Sequence, residues 1–431
     1  MTTYTPLRQL PAKAGYKAGD VLVLFGELFG RGYANGIVDE AKRSGMTVIG
    51  ITMGRRDAAG QLRPLTAEEL AEAEANLGGK MINLPLEAGF DMEGTPSPVE
   101  QLKGVKGDEW DQVKLDWQAI ERSKQAGITR FKATLAQVIA EIAKLLPAKG
   151  NVLFAHTMAG GIPRARIFMP LLNRVFKGVG ERYLSSEQFW GSELGRLCQI
   201  SFDEVTADTF GYLIEATADL RSQISTKGGE VRYVAYGYHG CEVLIDGSYA
   251  WQSYTPYLQG WAKIRLEEVA ARAWQQGVKA TVFNCPEILT NSSALFLGVE
   301  ISLYPLLTAL SKEGGGEKIR SRCQSLLKEG MTLDQLLNKA NDYLASPRIA
   351  QFREIKSWPH HNSAEQAEFM LTSSTELLAM NADPKEIVCA ELSRQVFSAT
   401  GQLMLHESWA PTASTLWLNH DIVARQIVAR G

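Results

Sequence analysis

Apolar residues along the chain follow two patterns. Short, largely apolar runs recur at residues 21–25, 46–52, 80–86, 151–156, 230–238 and 279–284. Between them lie stretches with apolar positions three and four apart, at 34–44, 66–76, 131–146, 164–176, 202–224 and 255–275. The runs predict buried strands and the spaced stretches predict amphipathic helices. Their alternation predicts an α/β fold on a doubly wound parallel sheet. Local signals sharpen several helix starts. Thr66 stands three residues before Glu69, a capping box, and Thr332 and Gln335 repeat the device. Thr255 followed by Pro256 reads as a cap and a first-turn proline.

Two stretches break the alternation. Residues 88–128 are rich in glycine, proline and charge and predict an insertion with some helix. Beyond residue 311 the strand pattern stops, and 332–345, 363–380 and 384–402 read as helices. The expected organisation is therefore a Rossmann-like cofactor-binding and catalytic domain over 1–311, with a helical C-terminal extension over 312–431 packed on it. The extension is expected to complete the pocket or mediate assembly, and a homo-oligomer is one arrangement it allows.

The first strand runs straight into a glycine turn, VLVLFGELFGRG. Gly26, Gly30 and Gly32 have the spacing G-x3-G-x-G and lead into the helix at 34–44. Strand, glycine turn and helix together bring backbone N–H groups to a phosphate. A tight turn with no ligand would use the same glycines, so the flanking elements carry the reading. After the second strand come Arg55 and Arg56, and Arg31 lies inside the glycine turn. In dinucleotide folds this region meets the adenosine ribose, where arginine suits a 2′-phosphate. These arginines favour NADP(H), with NAD(H) as the alternative.

Composition narrows the function classes. A chain of 431 residues with 45% hydrophobic and 22% charged residues is ordinary globular material. A formal net charge of −3 argues against nucleic acid as a partner. The apolar stretch 294–310 is interrupted by Glu300 and Pro305 and reads as buried or substrate-facing helix rather than a membrane span. Five scattered cysteines with no C-x-x-C pair, and no signal pattern at the start, predict a cytoplasmic protein with reduced thiols. No histidine or cysteine spacing predicts a metal site.

The sharpest candidate chemistry is Tyr254 followed by Lys263, just after the fifth strand at the head of a helix. A phenol can donate to a carbonyl oxygen where charge develops, and a nearby ammonium supports that charge. Nine residues are about two and a half turns, so the two cannot share one helix face. Tyr254 is expected in the loop before the helix. With the glycine turn, this resembles the short-chain dehydrogenase/reductase superfamily, although Phe25 replaces the threonine usual before the first glycine. The ketone-reducing members carry Tyr-x3-Lys, and here position 259 is Gln. Tyr-x8-Lys is similar to the FabV-type trans-2-enoyl-ACP/CoA reductases, and the overall pattern suggests the divergent enoyl-ACP reductases called FabMG. The resemblance implies that Ala159 and Gly160 in a strand-end turn lie beside the cofactor. It also implies that Pro286, Ile288 and Thr290 hold the nicotinamide carboxamide and that Lys263 holds its ribose. Tyr249 is a candidate second tyrosine near the acyl carbonyl.

The expected activity is NAD(P)H-dependent reduction of the 2,3-double bond of a trans-2-enoyl thioester, acyl-ACP or acyl-CoA, in fatty acid biosynthesis. A 3-oxoacyl reductase on the same scaffold and a non-catalytic NADP(H) sensor are the alternatives.

Overall fold

A computed structural model describes residues 3–28, 32–252, 258–290, 293, 296, 298–355 and 360–430. Its strands, in chain order, are β1 (Val21–Phe25), β2 (Thr47–Met53), β3 (Arg55–Arg56), β4 (Leu62–Arg63), β5 (Lys80–Leu86), β6 (Val152–His156), β7 (Val231–Gly237), β8 (Cys241–Ile245), β9 (Ser248–Gln252), β10 (Ala280–Asn284) and β11 (Thr415–Trp417). Seven of these form one sheet in the order β11-β10-β7-β6-β1-β2-β5. Every pairing in it is parallel. The chain leaves β1 in one direction through β2 and β5, then crosses back to β6 and continues the other way. The switch point lies between β1 and β6, where open parallel sheets place their ligand crevice.

The strands are buried on both faces, as a parallel sheet sandwiched by helices requires. Leu22 and Leu24 face one apolar core together with the C-terminal helices. Val21, Val23 and Phe25 face the other, with the helices Trp117–Leu145 and Leu258–Gln275. A third cluster, built around Phe168, Leu172 and Phe189, lies off the sheet and reaches the cavity residue Phe296.

Six predicted strands are present with boundaries shifted by one residue or none. The capping boxes at Thr66 and Thr332 both form. Four features depart from expectation. The segment 88–128 yields its last twelve residues to a 29-residue helix, Trp117–Leu145, started by the Asp116 side chain accepting from Gln118 and Ala119 N–H. Between the predicted strand at 230–238 and the predicted helix at 255–275, where no strand was expected, lies the antiparallel hairpin β8-β9. The single helix expected over 202–224 is broken by a π-helical turn, Asp203–Asp208, and again at Thr217. The extension contributes β11, which pairs with β10 at the sheet edge.

The extension also covers the first crossover helix. Helix Val388–Glu407 crosses helix Tyr33–Arg43 at Gly36 and Gly401. A Cβ on Gly36 would stand 1.8 Å from the Phe397 carbonyl oxygen. Glycine at both positions lets the two backbones touch. Among the described residues, no helix is long and apolar enough to cross a membrane.

Candidate active site

The carboxyl ends of β1, β2, β6 and β7 open into a cavity of about 440 Å³ at the switch point. Gly26 closes β1 with φ of 142°, and a Cβ there would lie 2.3 Å from Thr157 Oγ1. Both the conformation and the space demand glycine. Thr157 donates its hydroxyl (3.2 Å) and its N–H (3.1 Å) to the Phe25 carbonyl, fastening the ends of β1 and β6 together. Helix Tyr33–Arg43 then begins at Gly32 with no side-chain cap. An amino end of this kind, opening on a cavity, suits an anionic group through its N–H groups and dipole. Gly30 and Arg31 lie outside the described residues.

Glu27 follows Gly26 and lines the cavity, buried. Its carboxylate accepts from the Met53 N–H at the end of β2 (2.5 Å) and from the Arg55 fork at 3.0 and 2.7 Å. Arg56 grips Glu87 and donates to the Gly60 carbonyl (2.7 Å). Both arginines expected to meet a 2′-phosphate are thus engaged with carboxylates, and neither is among the described residues lining the cavity. Arg164 does line it, held by Glu87 and Asp91.

Ala159 lines the cavity, whereas Gly160 does not. The Gly160 N–H donates to Thr206 Oγ1 (3.0 Å), and that hydroxyl donates back to the Gly160 carbonyl (2.8 Å). Thr206 belongs to the π-helical turn, whose Val205 reaches the cavity. The turn therefore shapes the site, as π-bulges frequently do.

Lys263 lies one and a half turns into the helix Leu258–Gln275 and is buried at the cavity wall. Its Nζ donates to the Tyr236 carbonyl oxygen at 2.5 Å. Burial pushes its pKa down to about 8, with partial opposition from the neighbouring Cys285. Burial raises the Cys285 thiol in turn. Tyr254, like Ser253 and Tyr257, lies outside the described residues. Tyr249 sits on β9 beneath the Lys312 ammonium (5.0 Å to the ring), in the field of Asp421 and Glu313. It is absent from the described cavity lining. The hairpin, unforeseen in the sequence, turns that residue toward the extension.

The segment after β10 is fixed from two sides. The Pro286 carbonyl accepts from the Tyr33 hydroxyl, and the Leu289 N–H donates to Ser393 Oγ (2.9 Å) on helix Val388–Glu407. Thr290 lines the cavity, and its hydroxyl accepts from the Ser293 N–H (3.0 Å). Ile288 is buried in the core beside the extension. Tyr33 and Tyr236 were not singled out by sequence. The Tyr236 hydroxyl donates to the Tyr33 carbonyl (3.1 Å), and the two rings lie 5.4 Å apart on the cavity wall. A tyrosine in a helix or strand carries no local signal of such a role, and only the acid inside the glycine turn, Glu27, stands out in the local sequence.

The family profile described as enoyl-acyl carrier protein reductase FabMG matches residues 3–427. The chain belongs to the FabMG family. An apo structure of FabMG, a novel type of enoyl-acyl carrier protein reductase, is 51% identical, with 99% of this chain and 98% of that one covered and a TM-score of 0.96. An NADH-bound FabMG structure is 43% identical, with 99% of each chain covered and a TM-score of 0.81. No curated protein matches the chain. As a FabMG enoyl-ACP reductase, the protein performs NAD(P)H-dependent reduction of the 2,3-double bond of an enoyl-ACP in fatty acid biosynthesis. Among the described residues, no cluster of three or more His, Cys, Asp or Glu side chains could hold a metal ion.

Proposed function

We propose that this FabMG reductase uses NADH, with Lys263 and Tyr254 as its catalytic pair. One observation carries the proposal: the buried Lys263 shares one cavity with the amino end of helix Tyr33–Arg43. These residues fit a dinucleotide. The space at Gly26 admits no side chain, and the helix end beyond it suits a pyrophosphate. The far wall offers Lys263 for the nicotinamide ribose and Thr290 for the carboxamide. The NADH-bound relative supports this reading, as does the resemblance to the FabV type.

Glu27 supports NADH over NADPH. A carboxylate near the end of β2 accepts from a ribose 2′-hydroxyl and repels a 2′-phosphate. Arg55 and Arg56, the basis for expecting NADP(H), already have Glu27 and Glu87 as partners.

When bound, the dihydronicotinamide supplies the hydride that reduces the β-carbon. Tyr254 donates a hydrogen bond to the thioester carbonyl oxygen as enolate charge develops there. Lys263 holds the ribose and, as an ammonium, favours that charge. A proton then adds at the α-carbon. Acyl-ACP is the family's substrate, and acyl-CoA is proposed to be accepted through the same thioester contacts. All five cysteines are buried and none is in a disulfide, which supports a reducing, cytoplasmic setting.

The test follows nicotinamide absorbance with crotonyl and acetoacetyl thioesters, using NADH and NADPH. Oxidation of NADH with the crotonyl thioester is expected, and loss of rate by about a hundredfold in Tyr254→Phe. Turnover with acetoacetyl alone would overturn the reaction, and a fully active Tyr254→Phe would overturn the tyrosine's role.

A further inference from the structure

The helix Phe168–Lys177 buries Phe168, Leu171, Leu172, Val175 and Phe176 in the third apolar cluster. Its opposite face is turned to solvent and has an unusual makeup. Met169 is 43% exposed, one of three large hydrophobic residues exposed on the described surface. Lys177 lies about 80° and Arg174 about 140° round the helix from it, so the three spread across the half-turn opposite the buried face, with Met169 on one flank and Arg174 on the other. Arg166 stands exposed just before the helix and Arg182 just after it. Arg182 stays close to the helix end, because a Cβ on Gly178 would be 2.3 Å from its carbonyl oxygen. Among the described residues, none of these four cations forms a salt bridge, whereas Arg55, Arg56, Arg130 and Arg164 all do. Residues 164–182 hold five cationic side chains and one carboxylate, Glu181, in a chain with a net charge of −3.

The helix is joined to the cavity at both ends. Arg164 lines the cavity just before it. Near its other end, the Phe176 ring packs 4.8 Å from the ring of Phe296, another lining residue. A positive face flanked by an exposed methionine, next to residues that line an acyl-thioester site, is suited to a partner that delivers that thioester.

We infer that the face formed by Arg166, Met169, Arg174, Lys177 and Arg182 is the docking surface for the acyl carrier protein. The occupant is a protein with an acidic surface, chosen by charge complementarity: cations without salt-bridge partners steer such a partner, and the exposed methionine beside them adapts to an apolar contact. This inference rests on the enoyl thioester reading of the cavity. It concerns only how the substrate arrives.

The test uses the full chain carrying Arg174→Glu with Lys177→Glu, and Met169→Ser separately. Fluorescence anisotropy with labelled holo-acyl carrier protein reads binding without turnover. The charge reversal is expected to weaken Kd about tenfold and to flatten its dependence on added NaCl. In kinetics, KM for crotonyl-ACP should rise by about the same factor, while KM for crotonyl-CoA and kcat for both stay within about twofold. Unchanged carrier binding in the charge-reversed protein would overturn the inference. So would an equal rise in KM for both thioesters, or a change in sedimentation showing that the face joins two copies of this chain. Carrier binding that responds as expected, without oxidation of NADH by either thioester, would instead overturn the reading of the cavity.

Discussion

Lys263→Met separates what the lysine costs the fold from what it gives the reaction. The ammonium is buried, and its pKa is about 8 against 10.5 for an exposed lysine. A gap of about 2.5 units at about 1.4 kcal/mol each amounts to about 3 kcal/mol of stability lost to charge burial at pH 7. The folded-state pKa is the lower one, so the folded chain releases its proton before the unfolded chain does. The penalty is therefore full below pH 8 and fades as pH rises toward 10.5. Methionine keeps an unbranched stem and removes the charge, at the loss of a charge-assisted hydrogen bond to Tyr236 worth about 1–2 kcal/mol. The variant should be more stable than its parent at pH 7 by about 1–2 kcal/mol. That advantage should shrink by about 2 kcal/mol between pH 7 and 9.5, as the parent's lysine becomes neutral. Urea unfolding of both proteins at the two pH values measures this. NADH oxidation with a crotonyl thioester should fall by at least about a hundredfold. A variant that is less stable at pH 7, by a margin that does not change with pH, would refute the burial argument. A variant that keeps its rate would refute the catalytic one.

Three further outcomes are expected. The pH profile of kcat/KM should decline as pH rises through about 8, because the ammonium form of Lys263 is the competent one; a profile flat to pH 10 would contradict this. Glu27→Gln should raise kcat/KM for NADPH relative to NADH by about tenfold, equivalent to about 1.4 kcal/mol, by removing a charge that opposes a 2′-phosphate; an unchanged ratio would count against Glu27 as the discriminator. Gly36→Ala should destabilise the fold by about 3 kcal/mol, since its methyl would meet the Phe397 carbonyl 1.8 Å away and force the helices apart; an unchanged thermal midpoint would show that the crossing yields without strain.

The candidate site was legible where chemistry is written in local spacing. The glycine turn marked the cavity floor, and Lys263 stands at its wall. Arg55 and Arg56 depend instead on distant partners. Their position after β2 was correctly placed in sequence, but their ionic partners are 28 and 31 residues away. An arginine next to a binding site reads as a phosphate ligand until the carboxylates that engage it are known. The surroundings of Tyr249 are likewise set by distant residues. The β8-β9 hairpin carries it toward Lys312 and away from the described cavity lining.

The sequence by itself determined the order and type of the six central strands, because burial on both faces leaves continuous apolar runs and crossover helices leave a 3.6-residue period. It also determined the helix starts at Thr66 and Thr332, where the capping partners lie within one turn. Tertiary structure alone decided the seventh strand, three residues long and held between β10 and the backbone of Thr5 and Leu7. It likewise decided the Gly36–Gly401 contact, the grip of Ser393 on the segment after β10, and the Thr206 hold on Gly160. Each of these joins residues dozens to hundreds of positions apart. A local pattern records which face a residue offers, and only the folded chain decides what meets it.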